Sequence, residues 1–305
     1  MKIDISLELA KIKFKTPLIL ASGVSGYSKY SFKRAEENEA GGVVTKSSSL
    51  KSRSGYSGPT IVELPYGLLN AMGLPNPGIK KISEEIYAAK KLGVKIPLIA
   101  SIYGFNIKEY VKSAEIAAEH ADAIELNFSC PTVKEVSVEI GQNPHKVKEI
   151  VKAVKNKVEK PVFAKLSPNV SSIIEVGKAA EKGGADAITA INTVKGMALN
   201  IDLMKPILSV KIGGLSGPCI KPIALRCIYE LYENVNLPII GCGGILNWKD
   251  AIEMFLAGAS AVQIGTGIKY KGFEIFKELN LGIKRYLRLK GFKSLQEIKG
   301  LAHKK

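Results

Sequence analysis

Residues 123–131 read AIELNFSCP, an apolar run with Glu125 and Asn127 interleaved that closes on Ser129, Cys130 and Pro131. Alanine, isoleucine and leucine cut off by polar residues and a proline predict a short buried strand whose tip carries chemistry. Outward from it the pattern repeats. Strand-like runs at 17–22, 42–47, 97–102, 123–129, 161–167, 187–193, 238–244 and 261–267 alternate with amphipathic runs at 82–92, 107–120, 144–158, 173–182, 222–232 and 248–256. Such alternation predicts βα units around a parallel sheet, and eight strands are enough to close it. The expected fold class is therefore α/β, a (β/α)8 TIM barrel, as one domain over residues 1–305.

Local signals agree with this order. Asn106, Asn143, Asn169 and Asn247 precede helical periodicity, where an amide oxygen can accept from an orphan backbone N–H. KGGADAI at 182–188 and LAGASAV at 256–262 repeat one helix-to-strand phrase, with glycine ending the helix. Segment 51–79, KSRSGYSGPTIVELPYGLLNAMGLPNPGI, is too long for a βα loop and contains a strand-like TIVEL. It is expected as an insertion folding over the C-terminal mouth of the barrel.

Composition excludes several classes. The chain is 46% hydrophobic, yet no apolar run reaches the roughly 18 residues that span a bilayer. The N-terminus lacks a signal-peptide core, so no membrane association and a cytoplasmic location are expected. Cys130, Cys219, Cys227 and Cys242 are scattered, with no Cys-x-x-Cys pair and no histidine at ligand spacing, so no metal site is expected. Three of these thiols read as buried and reduced. The net charge of +16 is spread along helical stretches where lysines mix with glutamates, and no basic cluster interleaves with aromatics. Solvated helix faces, not a nucleic-acid partner, are the expectation.

In such barrels function sits at the C-terminal ends of the strands. Lys46 and Lys165 lie in otherwise apolar strands, where an ammonium is costly unless it meets an anion or an electron-rich acceptor. A bound anionic ligand explains both, and a position in water beyond the rim is the plain alternative. Gly243 and Gly244 follow the seventh strand and Gly265 and Thr266 the eighth, where barrels commonly hold a phosphate, and GGLSGP at 213–218 adds a further glycine-rich turn. Asn70, Asn127 and Asn192 offer donors and acceptors suited to a planar ring with carbonyl and N–H groups, or else cap turns. Cys130 is the base or nucleophile of the set. No histidine is placed to pair with it, since His120 ends a helix, His145 begins one and His303 is in the tail.

The phrases VVTKS, LLNAMGLPNPG, ELNFSCP, KLSPNV, INTVKGM, GGLSGPCIKP, IIGCGGI and AVQIGTG, in this order from about residue 18 to 267, resemble those of dihydroorotate dehydrogenases. These are FMN enzymes of pyrimidine biosynthesis, and INTVKGM and GGLSGP are similar to the class 1B catalytic subunit. The resemblance implies oxidation of (S)-dihydroorotate to orotate, with Cys130 as the base at C5 while hydride passes from C6 to FMN. It implies FMN contacts from Ser22, Lys46, Ser47, Asn127, Lys165, Ile191, Gly217, Gly243, Gly244, Gly265 and Thr266. Substrate contacts are implied for Lys46, Asn70, Ala71, Met72, Gly73, Leu74, Asn127, Asn192 and Thr193. It further implies a homodimer of this chain joined to an electron-transfer subunit carrying FAD and an iron–sulfur cluster.

Two features depart from the family phrase: Thr132 stands where asparagine usually follows the proline, and VKEVSVEIGQNP lacks the usual paired glycines. Two other readings are open on the residues. A dihydropyrimidine dehydrogenase-like reductase of uracil or thymine shares the NxSCP phrase, although Lys46 suits a carboxylate better than a neutral pyrimidine. A basic flavin barrel acting on RNA would use the positive charge.

Overall fold

The computed structural model describes residues 3–128 and 137–304. Eight parallel strands close into a barrel: Leu18–Leu20, Gly42–Val44, Leu98–Ile102, Ala123–Asn127, Val162–Leu166, Ala187–Ala190, Ile239–Cys242 and Ala259–Ile264. Each pairs with its neighbours in chain order, and the eighth returns to the first through Val262 beside Leu18. Helices including Ile79–Lys91, Ile107–Ala118, Pro144–Lys155, Ile173–Gly183, Lys221–Asn234 and Trp248–Leu256 form the outer layer. The expected (β/α)8 architecture is what the chain adopts.

Successive strand side chains point to opposite sides, and that period of two builds the barrel in layers. Leu18, Val43, Leu98, Ile124, Val162, Ile188, Ile239 and Val262 face outward and join one large core with helix residues such as Ile86, Ala114 and Val151. Ile19, Val44, Ile99, Ala123, Phe163, Ala187, Ile240 and Ala261 form a separate buried cluster within. Leu9 and Phe14, from the hairpin of Leu7–Leu9 with Ile12–Phe14, pack onto that inner cluster and close the N-terminal end. Two residues further along the same strands come Ala21, Lys46, Ser101, Glu125, Lys165, Thr189, Cys242 and Gln263. The interior thus changes from apolar to polar within one step of the pleat, towards the C-terminal mouth.

Over that mouth lies a four-stranded antiparallel sheet in the order Val194–Gly196, Gly213–Ser216, Gly67–Asn70, Ile61–Leu64. The expected insertion supplies half of it, and its TIVEL run is the edge strand Ile61–Leu64. The other half comes from residues after the sixth barrel strand. Gly214 opposite Asn70 joins the two halves.

Asn106, Asn143 and Asn247 cap their helices as expected, each accepting from backbone N–H groups of the first turn. Asn169 does not. Ser172 takes that place by accepting from Glu175 N–H, while Asn169 donates to Thr193 O at 3.0 Å and accepts from Lys195 N–H at 2.8 Å. Several capping residues in one SPNVSS run leave the helix start open on sequence alone. The strands also end earlier than their apolar patterns suggest. Thr45 still bonds to Ile99 O, but Lys46 N–H turns to Gly26 O and leaves the ladder.

Candidate active site

The C-terminal mouth holds a cavity of about 520 Å³, within the ~300–1,000 Å³ range of small-molecule and cofactor sites. Ser22, Lys46, Ser47, Asn127, Lys165, Ile191, Asn192 and Thr193 line it from the ends of the first, second, fourth, fifth and sixth strands. Gly217, Gly243, Gly244, Gly265 and Thr266 line it from the loops that follow the sixth to eighth strands, and Asn70, Met72 and Leu74 from the inserted segment.

Hydrogen bonds tie the strand tips into one wall. Ser22 Oγ lies 3.0 Å from Ser47 Oγ and also accepts from Ser47 N–H. Asn127 Nδ2 donates to Ser47 Oγ at 3.1 Å, and Asn192 Nδ2 donates to Asn127 Oδ1 at 3.1 Å. Thr193 N–H then fixes Asn192 Oδ1 at 2.8 Å. Four strand tips hold these amides in set orientations, which is what recognition of a ring with fixed donors and acceptors requires.

Deeper in the barrel Lys165 Nζ donates to Gln263 Oε1 at 2.8 Å, and Gln263 Nε2 donates to Glu125 Oε2 at 2.5 Å. Thr189 Oγ1 donates to the same carboxylate oxygen at 3.0 Å. Glu125 is fully buried, and its Oε1 stands 3.8 Å from Lys165 Nζ. Burial alone would push the Lys165 ammonium towards its neutral form; the Glu125 carboxylate opposite it outweighs this and holds its pKa above the ordinary lysine value. Burial raises the pKa of the Cys242 thiol in turn, against the pull of Lys165.

The glycines make room for backbone. Gly244 has φ +77°, and a Cβ there would lie 2.8 Å from Lys221 N and 2.9 Å from its Cα. Gly217, with φ +102°, packs so closely that a Cβ would come within 3.0 Å of Gly67 Cα, which docks the overlying sheet onto the loop. No larger side chain fits either position without a shift. Bare N–H groups at such turns are suited to a phosphate.

The dihydroorotate dehydrogenase family model matches residues 5–287. The chain belongs to the dihydroorotate dehydrogenase family. It is 54% identical over 300 residues to the Pyrococcus abyssi protein named dihydroorotate dehydrogenase B (NAD(+)), catalytic subunit, covering 98% of this chain and 99% of that relative. Proteins of the same name from Thermococcus kodakarensis and Methanocaldococcus jannaschii are 52% and 48% identical, with 98% and 96% of each chain covered.

Dihydroorotate dehydrogenases are oxidoreductases and flavoproteins, and the cavity fits a flavin nucleotide. It joins a glycine-lined turn region for a phosphate to a polar wall for a ring, with an ammonium at the barrel interior. Among the described residues the expected contacts gather at this dihydroorotate dehydrogenase cavity, with two exceptions. Ala71 is fully buried and donates its N–H to Thr60 O, and Gly73 O accepts from Arg53 Nε at 2.7 Å. Both hold the loop that presents Met72 and Leu74. Cys130, with Ser129, Pro131 and Thr132, lies outside the described residues.

Glu125, Thr189, Gln263 and Cys242 were not among the expected site residues. Cys242 lines the cavity, so only Cys227 among the three described cysteines is fully buried. The signal for Glu125 and Gln263 is the one that singled out Lys165: a charged or amide side chain in an apolar strand. No helix among the described residues is long and apolar enough to cross a membrane.

Proposed function

We propose that the chain oxidises (S)-dihydroorotate to orotate with FMN bound in the mouth cavity, as the catalytic subunit of a two-component enzyme of pyrimidine biosynthesis. One observation carries the reading: two buried lysines and three amides line the same cavity as the glycine turns. From the cavity wall the Lys46 ammonium would pair with the carboxylate of orotate, and Asn70, Asn127 and Asn192 would answer the ring's carbonyl and N–H groups. Gly217, Gly243, Gly244, Gly265 and Thr266 would hold the phosphate end of FMN, with Lys165 beside the pyrimidine end of its ring system.

Bound FMN supplies the hydride-accepting chemistry at substrate C6. The chain's own residues do the rest. Asn127 and Asn192 orient the ring, and the Cys130 thiolate takes the proton from C5, so that the carbon–carbon double bond forms as one proton and one hydride leave. An electron-transfer subunit carrying FAD and an iron–sulfur cluster would accept the two electrons, consistent with the relatives' names as dihydroorotate dehydrogenase B (NAD(+)) catalytic subunits. A homodimer of this single-domain chain in the cytoplasm completes the assembly.

Anaerobic addition of dihydroorotate to the FMN-loaded protein tests this directly. The flavin absorbance should bleach, and Cys130→Ala should keep the colour while losing roughly 10²–10⁴ in reduction rate, the usual worth of a general base. A chain that takes up no FMN, or that bleaches with dihydrouracil and not with dihydroorotate, overturns the reading.

A further inference from the structure

Inside the barrel a carboxylate that the cavity never touches is wired to an ammonium that it does. Lys165 and Gln263 line the cavity, whereas Glu125 does not and is fully buried. Gln263 joins them with its amide in one orientation: the oxygen faces the ammonium and the NH2 faces the carboxylate. The reverse orientation would set donor against donor and acceptor against acceptor, so Lys165 and Glu125 together fix Gln263. Thr189 adds a donor to the carboxylate from the sixth strand. The remaining carboxylate oxygen, Glu125 Oε1, has no hydrogen-bond partner among the described residues and faces Lys165 Nζ across 3.8 Å.

Such an arrangement has a cost that packing does not explain. A buried ion pair is often no more stable than apolar side chains of the same volume, and an isolated buried lysine sheds its proton. Four barrel strands nevertheless contribute to it, directly behind the wall of the site. Resting on the FMN reading above, we infer that Glu125, Gln263 and Thr189 are positioning residues that keep the Lys165 ammonium charged and aimed into the cavity, where it stabilises negative charge on the reduced flavin. The groups facing Lys165 are Glu125 on the fourth strand, Cys242 on the seventh and Gln263 on the eighth, with Lys46 across the same cavity. Glu125 is the one among them whose negative charge can hold the proton at neutral pH.

The test is the midpoint potential of bound FMN against pH, measured with Glu125→Gln and Glu125→Asp. In the wild type Lys165 stays charged in both redox states and contributes no proton. In E125Q the lysine is neutral beside oxidised flavin and takes a proton on reduction. The potential should then fall more steeply with pH, by about 30 mV per unit, because a tenfold change on a two-electron couple is 29.6 mV. E125D, which keeps the charge, should restore the wild-type slope. If E125Q does not fold, Thr189→Val, which removes a donor from the carboxylate and leaves its charge, should weaken FMN binding to the apoprotein more at pH 9 than at pH 6. FMN-loaded E125Q with the wild-type slope, or a T189V loss of affinity equal at both pH values, overturns the inference. A wild-type chain that binds no FMN overturns the cofactor reading itself.

Discussion

Asn192 donates to Asn127 across 3.1 Å, joining the tip of the sixth barrel strand to that of the fourth. Each amide therefore presents a defined polar edge, because one end of its neighbour is already committed. Asn192→Ala removes this donor and, if the proposed substrate site is right, one ring contact with it. Taking a hydrogen-bond donor away from a buried acceptor costs ~1–3 kcal/mol, so kcat/KM for dihydroorotate should fall about 5- to 150-fold. Steady-state kinetics with the FMN content held equal would read it, and an unchanged kcat/KM would remove Asn192 from the substrate site.

Lys46 is 5% exposed and lines the cavity. If it pairs with the substrate carboxylate, Lys46→Met should weaken orotate binding by the worth of a charge-assisted hydrogen bond, ~1.5–3 kcal/mol or roughly 10- to 150-fold. Binding of uracil, which lacks the carboxylate, should change far less. Titration of both ligands into the FMN-loaded variant separates the cases, and equal losses for the two would place Lys46 with the flavin alone.

Gly244 tests the cradle. Alanine there combines a positive φ with a Cβ 2.8 Å from the backbone nitrogen of Lys221. Strain and overpacking of this kind cost ~1–3 kcal/mol each. Gly244→Ala should lower the denaturation midpoint and release FMN more readily on dialysis, whereas Gly93→Ala, also at positive φ but with open space around its Cβ, should retain the cofactor.

Stability should respond to Lys165 in alkali. Its folded pKa is raised above the unfolded value, so its contribution is complete below the unfolded lysine pKa of ~10.4 and is lost as pH rises through the folded value. Lys165→Met leaves Glu125 buried without its counter-charge, a change worth about 3–5 kcal/mol. Urea unfolding should show that gap at pH 7 and a narrowing gap above pH ~10.4. A gap independent of pH would mean that packing, not charge, is what the methionine disturbs.

The barrel was legible because its strands are short apolar runs set between amphipathic ones, a pattern that survives any uncertainty about ends. The glycine turns and the lysines at the strand tips could be read for the same reason: each breaks a local rule. The helix Lys29–Glu37 was missed because its sequence, KYSFKRAEE, buries only Phe32 and Ala35, too thin an apolar stripe to register. The sheet over the mouth could be half foreseen. Ile61–Leu64 alternates visibly and pairs with Gly67–Asn70, but the strand on the other side of Gly67–Asn70, Gly213–Ser216, is glycine-rich with almost no side-chain pattern. Glu125, Thr189 and Gln263 needed the register of all eight strands to show that they share one level of the interior.

That sheet has a consequence for the order of events during synthesis. Its central pairing joins Asn70 to Gly214, residues 144 apart in the chain, and the barrel beneath it closes only when Val262 reaches Leu18. Bringing such distant segments together is entropically costly until later contacts reward it. A nascent chain that has emerged through its fifth strand already carries Lys46, Asn127 and Lys165, yet has neither the strand that completes the roof nor the turns that would grip a phosphate. Cofactor capture is thereby deferred to the last third of translation, and a truncated product should emerge colourless.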